Sequence, residues 1–235
     1  MTSNGTLPVG IELDPTPGPR PGRVTLAGRF VTIVPFDLAA HGRDIYEASS
    51  GPENEGLWPY LWQGPFADYE SFAAYYAEAA KKDDPLLFAI LDRATGRAVG
   101  HAALMRIVPN DRVVEVGNIL YTPPLQRTIG ATEAMYLMAR HVFDDLGYRR
   151  YEWKCNDLNA PSRRAARRYG FAYEGTFRQH MIVKGRNRDT AWFAMLDSDW
   201  PRVRAAFEAW LDPANFDAEG RQKSSLDASL PEAST

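Results

Sequence analysis

The chain has 235 residues, 45% of them hydrophobic, and a formal net charge of −3. This length and apolar content suit one sizeable core, and the mildly acidic balance predicts no nucleic-acid partner. A single cysteine excludes an internal disulfide framework, and four scattered histidines without ligand spacing predict no metal site. The chain lacks both an apolar run long enough to span a membrane and an N-terminal secretory signal, so we expect a cytoplasmic protein without a membrane partner.

The two ends of the chain differ in composition from its middle. Residues 1–22 carry five prolines with glycines between them, which predicts an extended N-terminal arm. Residues 212–235 turn polar, and we expect this C-terminal tail to fray. The residues between them, 23–211, are predicted to form a single domain.

The first part of that domain is predicted to contain a strand pair and two helices. Residues 24–34 alternate between apolar and polar side chains, which favours a strand pair. Helices are expected over residues 37–48 and 68–82, and Asp37 is placed to cap the first of them.

The loop between these helices, residues 51–66, is dense in aromatic and turn residues. A connection of this composition is a candidate wall for a substrate site. Trp58 and Trp62 are its candidate substrate contacts. The alternative is that loop aromatics such as Tyr60 fill the edge of the core.

A strand–turn–helix unit occupies the centre of the chain. Residues 86–91 and 98–107 are predicted to form a hairpin, which leads into an apolar strand over residues 113–121. Two prolines stop this strand, a short polar turn with Gly130 follows, and an amphipathic helix is predicted over residues 133–143. This order of elements presents free backbone N–H groups and a positive helix end to an anion, although most such units are purely structural.

The remaining pattern completes a mixed α+β arrangement. A second short strand is predicted over residues 151–155, and an arginine-rich helix over 163–169. A hairpin of residues 173–183 and 190–196 follows, and a helix over 200–211 closes the domain. We therefore expect a mixed sheet with helices on both faces.

Three motifs in this half of the chain resemble those of one family. They are Gln-Arg-Thr-Ile-Gly-Ala at 126–131, Asn-Ala-Pro-Ser at 159–162 and Tyr-Gly-Phe at 169–171. In this order they resemble the GNAT superfamily of N-acetyltransferases, and within it the RimJ/RimL-type branch. The resemblance implies a GNAT-like acyl-CoA N-acyltransferase fold, with a mostly antiparallel twisted sheet splayed between two parallel strands. The turn departs from the superfamily pattern, because counting from Arg127 puts Thr132 where Gly or Ala is usual.

The resemblance further implies that acetyl-CoA, or coenzyme A after transfer, lies where the two parallel strands separate. Backbone N–H groups at Ile119, Leu120 and Tyr121 would polarise the acetyl carbonyl, as an oxyanion hole does. The turn and the helix N-terminus would hold the pyrophosphate. The pantetheine amides would pair with the free edge of the central strand, with Asn159 as a side-chain partner. The residues implied in these cofactor contacts are Gln126, Arg127, Thr128, Gly130, Ala131, Thr132, Asn156, Asn159 and Ser162.

Three residues are the first candidates for acid–base chemistry. The resemblance makes Ser162 the proton donor to the leaving thiolate, with a helix cap as its alternative role. Tyr169 is the other candidate acid, unless it is only a core aromatic. Glu115 is the candidate base, because burial in an apolar strand raises a carboxyl pKa toward neutrality; its alternatives are a solvent-facing residue or a salt-bridge partner. Asp157 and His180 are weaker candidates, and a chain of waters would need no single base.

The implied activity is direct transfer of an acetyl group to a primary amine in a ternary complex. The acceptor is a protein or peptide N-terminal amine, or a small-molecule amine. Arg178 and the Arg186/Arg188 pair face the expected acceptor side, with His180, and could hold a carboxylate. The alternative from another class is a non-catalytic acyl-CoA-binding or sensing module with the same fold. A homodimer is possible, and Cys155 is expected to be a buried packing residue.

Overall fold

The structure is a computed structural model that describes residues 9–229. Its strands are β1 (Leu26–Ala27), β2 (Val31–Pro35), β3 (Leu86–Asp92), β4 (Ala98–Val108), β5 (Val113–Tyr121), β6 (Arg150–Asn156), β7 (Ala172–Val183) and β8 (Arg186–Leu196). Its α-helices are α1 (Leu38–Ser49), α2 (Tyr69–Ala79), α3 (Ile129–Arg140), α4 (Ala160–Arg168) and α5 (Trp200–Leu211). The elements follow the predicted order, and α3 begins ahead of its predicted start because Thr128 caps it.

The strands form one eight-stranded sheet in the order β1-β2-β3-β4-β5-β6-β8-β7. Neighbouring strands are antiparallel except β5 and β6, which pair in parallel from Val113–Arg150 to Val116–Trp153. The predicted α+β class and mixed sheet are confirmed. The pairing of β5 with β6 stops after Val116 and Trp153, although both strands continue. The two parallel strands therefore separate at their carboxyl ends.

Alternating side chains bury both faces of the sheet under helices. On β3, Leu86, Phe88 and Ile90 belong to the larger core, together with residues of α3 and α5. Leu87 and Ala89 belong to the second core, under α1 and α2. The face covered by α3, α4 and α5 is called the helical face below, and the face covered in part by α1 and α2 is called the open face.

Helix α3 is tied to the β1–β2 turn by a buried carboxylate. Glu133 accepts backbone N–H hydrogen bonds from Arg29, Phe30 and Val31 at 2.8, 2.6 and 2.8 Å. The N–H groups of this turn have no hydrogen-bond partners in the sheet, and the carboxylate on the helix accepts their hydrogen bonds instead. This contact fixes how far the N-terminus of α3 lies from the sheet.

The segment after α5 packs on the domain, so the expectation that the chain frays from Asp212 is wrong for residues 212–229. Leu226 and Ala228 are buried in the larger core. They fit there because Gly170 has no side chain: a Cβ at Gly170 would lie 2.9 Å from the Ala228 carbonyl oxygen. The rest of the predicted tail, and the first eight residues of the predicted arm, lie outside the described residues. The described part of the arm, residues 9–22, forms neither helix nor strand.

Candidate active site

A cleft of about 1280 Å³ opens where β5 and β6 separate. Its walls come from both faces of the sheet, since residues of α3 and α4 line one end and residues of the 51–66 loop and β8 line the other. The cleft therefore passes through the sheet. Most of the predicted site residues line it, namely Glu115, Ile119, Leu120, Tyr121, Gln126, Arg127, Thr128, Ala131, Thr132, Asn156, Asn159, Ser162, Tyr169, Trp62 and His180.

A bulge in β5 turns its backbone toward the cleft. Asn118 has a φ of 47°, and the β4–β5 register shifts between His101 and Ala103. Gln63, on the loop between α1 and α2, donates a 2.9 Å hydrogen bond to the Asn118 side-chain oxygen. Bulges of this kind redirect backbone groups beside active sites. The bulge leads directly into residues 119–121, which are the predicted carbonyl-polarising segment.

The N-terminus of α3 forms the far end of the cleft. Arg127 stands at a φ of 61°, and the Thr128 hydroxyl caps the helix by accepting from the Ala131 N–H at 3.1 Å. The N–H groups of Ile129 and Gly130 in the first turn have no intrahelical acceptor. With the positive end of the helix dipole, they favour an anion at this position.

Gly130 has a different role from the one predicted. It does not line the cleft, and a Cβ at this position would lie 2.8 Å from Val31 Cγ1. Its missing side chain lets α3 approach β2, so the cofactor contact implied for Gly130 is left to its backbone N–H. The ligand-facing N–H groups and the close helix packing are separate features of the same turn.

Helix α4 is capped by Asn159, so the alternative role of Ser162 as its cap is wrong. The Asn159 side-chain oxygen accepts from the Ser162 N–H at 3.1 Å. The Ser162 hydroxyl instead accepts a 3.0 Å hydrogen bond from Trp153 Nε1 and lies in the cleft. It also hydrogen-bonds the Cys155 thiol, whose pKa is nevertheless raised by burial.

Tyr169 is both a core aromatic and a cleft residue. It stacks on Phe207 with ring centroids 6.1 Å apart and is 8% exposed. Its hydroxyl is hydrogen-bonded by Thr132 and Arg168, yet burial raises its pKa. A raised pKa keeps the hydroxyl protonated, which is compatible with an acid but weakens its tendency to release the proton.

Glu115 lies on the open face, opposite Ser162, and is only 5% exposed. The solvent-facing alternative is therefore wrong. Its carboxylate lies 3.0 Å from Lys154 Nζ and 3.1 Å from Arg106 Nε. Burial raises the Glu115 pKa, while Lys154 and Arg106 act in the opposite direction. Lys154 also contacts Glu152 at 2.6 Å, so one ammonium is shared between two carboxylates.

The aromatic loop contributes one of its two predicted tryptophans. Trp62 is 44% exposed and lines the cleft. The prediction that Trp58 contacts substrate is wrong. Trp58 is 2% exposed, donates to the Ser49 carbonyl at 3.0 Å and packs edge-on against Phe66. Its indole fills the second core because Phe66 and the end of α1 form a closed apolar pocket around it.

The same loop closes over the open face. The Tyr60 hydroxyl donates to the Leu158 carbonyl at 3.2 Å, beyond the end of β6. From the β7–β8 turn, Lys184 Nζ donates to the carbonyls of Trp58 and Gln63 at 2.8 and 2.9 Å. These contacts form a roof across the open-face end of the cleft.

Two residues of β7 were predicted on the acceptor side, and only His180 lines the cleft. Arg178 is exposed and lies outside the lining, which corrects its prediction. His180 Nδ1 lies 3.0 Å from Thr190 Oγ1. Its pKa is lowered by burial and by the cations Arg106, Arg188 and Lys154.

The sequence reasoning missed Lys154, Arg106 and Gln63. Glu152 and Lys154 alternate with aromatic and apolar residues along β6, and this period-two pattern was the available signal for a polar face. No comparable signal marks Arg106, whose direction depends on a bulge at φ 49°. Gln63 lies in an irregular loop.

Among residues 9–229, no group of three or more His, Cys, Asp or Glu side chains is arranged to hold a metal ion. None of the helices described is both long enough and apolar enough to cross a membrane.

Comparison with known proteins identifies the class. The family model described as the acetyltransferase (GNAT) domain matches residues 31–172. The crystal structure of a GCN5-related N-acetyltransferase from Brucella melitensis is 50% identical, with a TM-score of 0.88, 90% of this chain covered and 96% of the other. This chain belongs to the GNAT acetyltransferase family.

Two further structures are similar to it. A probable GNAT-family acetyltransferase from Chromobacterium violaceum is 35% identical, with a TM-score of 0.77 and coverage of 85% of this chain and 100% of the other. RimJ from Mycobacterium smegmatis, in complex with CoA-disulfide, is 20% identical, with a TM-score of 0.62 and coverage of 76% and 88%. At that identity the likeness to RimJ concerns the fold. No curated protein matches the chain.

Proposed function

We propose that this protein is an acetyl-CoA-dependent N-acetyltransferase that transfers the acetyl group directly to a primary amine in a ternary complex. The observation that carries this proposal is the end of the β5–β6 pairing at Val116 and Trp153, which opens a cleft through the sheet. A cleft of that form lets two substrates meet at one point. Membership of the GNAT family supports the same reaction class.

The cofactor enters from the helical face. Its pyrophosphate lies against the first turn of α3, where Ile129 and Gly130 offer N–H groups and Arg127 a cation. The pantetheine arm runs between β5 and β6, beside Asn156. Asn159 is engaged in capping α4, so its side chain contributes less to this contact than the family resemblance implies. The cofactor bound to RimJ supports this assignment by likeness of fold.

The amine enters from the open face, where Glu115 removes its proton. The nitrogen then forms a bond to the acetyl carbon, and N–H groups of residues 119–121 stabilise the negative charge on the carbonyl oxygen. As the carbon–sulfur bond breaks, Ser162 gives its proton to the sulfur. The second proton of the nitrogen leaves as the amide forms and returns through water to the Ser162 oxygen, so the one proton released overall is the one held by Glu115. The base and the acid thus act from opposite faces of the sheet. Each reaches its own reacting atom, the amine nitrogen or the thioester sulfur, without having to move.

The RimJ/RimL-type branch is the part of the proposal that depends on the motifs at 126–131 and 159–162. That branch favours an α-amino group as acceptor. Fold likeness alone does not define an acceptor, so the acceptor class needs an experiment.

The first experiment is to follow thiol release from acetyl-CoA against a panel of N-terminal peptides, polyamines, aminoglycosides and single amino acids. Turnover with one group supports the enzyme and identifies its acceptor class. Tight coenzyme A binding by calorimetry with no turnover across the panel would favour the sensing module. No binding of coenzyme A would contradict the assignment of the cleft.

A further inference from the structure

Arg188 is a buried cation without a carboxylate partner. It is 9% exposed, and its Nε donates to Thr190 Oγ1 at 3.2 Å. Its guanidinium lies 5.5 Å from the centroid of the Trp62 ring. Within residues 9–229 it has no carboxylate at ion-pair distance. Burying a charge without a counter-ion is costly, and proteins ordinarily pair such groups.

The nearby carboxylates are already engaged with other cations. Glu115 contacts Arg106 and Lys154, and Glu152 contacts Lys154 and Arg150. Arg150 also pairs with Glu174 on β7. Within the described residues Arg188 therefore forms no ion pair, although the charge of Glu115 favours its protonated form. Burial and, after it, the cations Arg106, Arg188 and Lys154 lower the pKa of His180, which lies beside this group.

The position of Arg188 places it at the open-face end of the cleft. β6 and β8 pair as far as Asn156 and Thr190. Arg188 lies two residues before Thr190 on β8, beyond the end of this pairing, and on the same face as Thr190 and Trp192. It lines the cleft together with Glu115 and Trp62. The roof formed by the aromatic loop and the β7–β8 turn encloses this end, which suits a small acceptor better than a folded protein surface.

We propose that Arg188 binds a carboxylate of the acceptor, so that the acceptor is a small molecule carrying both an amine and a carboxylate, as an amino acid does. This inference rests on the proposed function. A guanidinium donates two parallel hydrogen bonds to a carboxylate and so orients it. Trp62 supports the guanidinium plane from one side. The bound carboxylate supplies the missing counter-ion, and its amine is directed toward Glu115.

The test compares matched pairs of acceptors, each a free amino acid and its carboxamide, with wild type, Arg188→Met and Arg188→Lys. Loss of hydrogen bonds to a charged group corresponds to roughly a 10- to 100-fold change. We expect wild type to prefer the acid by that factor in kcat/KM, mainly through KM. Arg188→Met should remove the preference, and Arg188→Lys should restore part of it. Arg149→Met, an exposed arginine outside the cleft, is the matched control and should keep the preference.

A second measurement separates this inference from the proposed function. Thermal unfolding is followed with coenzyme A and N-acetylglycine, which has a carboxylate and no free amine. Stabilisation of wild type but not of Arg188→Met supports the carboxylate site even if no amine is turned over. If wild type uses the acids and the amides equally well, the inference about Arg188 is wrong but the acetyltransferase proposal is not affected. The same conclusion follows if wild type and Arg188→Met are stabilised equally. If Arg188→Met does not fold, the acid-to-amide ratio of wild type decides alone.

Discussion

Ser162 has a hydroxyl that is held in place without being used as a helix cap. Trp153 donates to it, and Asn159 performs the capping. If Ser162 protonates the leaving sulfur, Ser162→Ala should lower kcat by about 100- to 10,000-fold and leave the Kd for coenzyme A unchanged. Stopped thiol-release assays and calorimetry measure the two quantities.

Two further variants sharpen that prediction. Ser198→Ala changes an exposed serine outside the cleft and should have wild-type activity. Tyr169→Phe should keep most of the activity, because burial leaves this phenol a weak acid. The roles would be reversed if Tyr169→Phe lost turnover and Ser162→Ala kept it.

Glu115 leads to a pH prediction. Burial raises the pKa of Glu115, and a carboxylate acts as a base only when it is ionised. We therefore expect kcat/KM to be low at acidic pH and to rise as pH increases through this raised pKa. Glu115→Gln should lower kcat by about 100- to 10,000-fold and abolish the acid limb. The pH profile of kcat/KM for both proteins measures this.

Glu174→Gln is the matched control for Glu115→Gln. It removes a more exposed carboxylate from the far end of the same ion-pair network, and the acid limb should persist. An unchanged profile in Glu115→Gln would leave Glu115 with a structural role, holding Lys154 and Arg106.

At the scale of elements, the approach of α3 to β2 depends on Gly130. Replacing a helical glycine by alanine ordinarily stabilises by up to about 1 kcal/mol. Here the added Cβ would lie 2.8 Å from Val31 Cγ1, so we expect Gly130→Ala to destabilise by about 1–3 kcal/mol. It should also raise the Kd for coenzyme A, because the first turn of α3 is displaced. Urea unfolding and calorimetry test both effects.

The double variant Gly130→Ala/Val31→Ala distinguishes helix packing from ligand approach. If the clash with Val31 is the cause, the double variant should recover about 0.5–3 kcal/mol relative to the sum of the single changes. Cofactor affinity should recover with it. If neither stability nor cofactor affinity recovers, the missing side chain of Gly130 serves the approach of the ligand instead of helix packing.

Elements were predictable from the sequence where their determinants are local. Asp37 caps α1 through the N–H of Ala40, three residues away, and such short spacings can be read directly. Contacts between distant segments could not be read in this way. Glu115 meets Arg106 and Lys154 only because of strand register and a bulge.

Irregular segments set a second limit on prediction. Trp58 and Trp62 lie in one loop, and only the tertiary position of Phe66 decides which of the two is buried. Residues 212–229 have few apolar side chains, so their composition favours a tail. Leu226 and Ala228 are nevertheless buried in the core and Phe216 packs against it, so this segment is anchored.

At the scale of the whole molecule, a buried histidine couples stability to pH. His101 is fully buried and lies 2.7 Å from the Tyr76 hydroxyl. Burial lowers its pKa from 6.5 to about 4. A depressed pKa in the folded state means that the stability is present above pH 6.5 and is lost as pH falls toward 4, by about 3 kcal/mol.

The measurement is urea unfolding at pH 7 and pH 4 for wild type and His101→Gln. Glutamine retains an acceptor for Tyr76 but does not titrate. Wild type should lose about 3 kcal/mol more than the variant over this interval. Equal losses would show that His101 does not govern the acid limb of stability.

The cleft through the sheet also bears on the sequence of events in turnover. Its two ends lie on opposite faces of the sheet, so a molecule bound at one end does not block the other. We expect neither substrate to be required first and neither product to trap the other, which gives random-order kinetics with intersecting initial-rate plots. The splayed pair of strands would then act as a passage with two independent entrances, and the rate of exchange at each could change by mutation without altering the other.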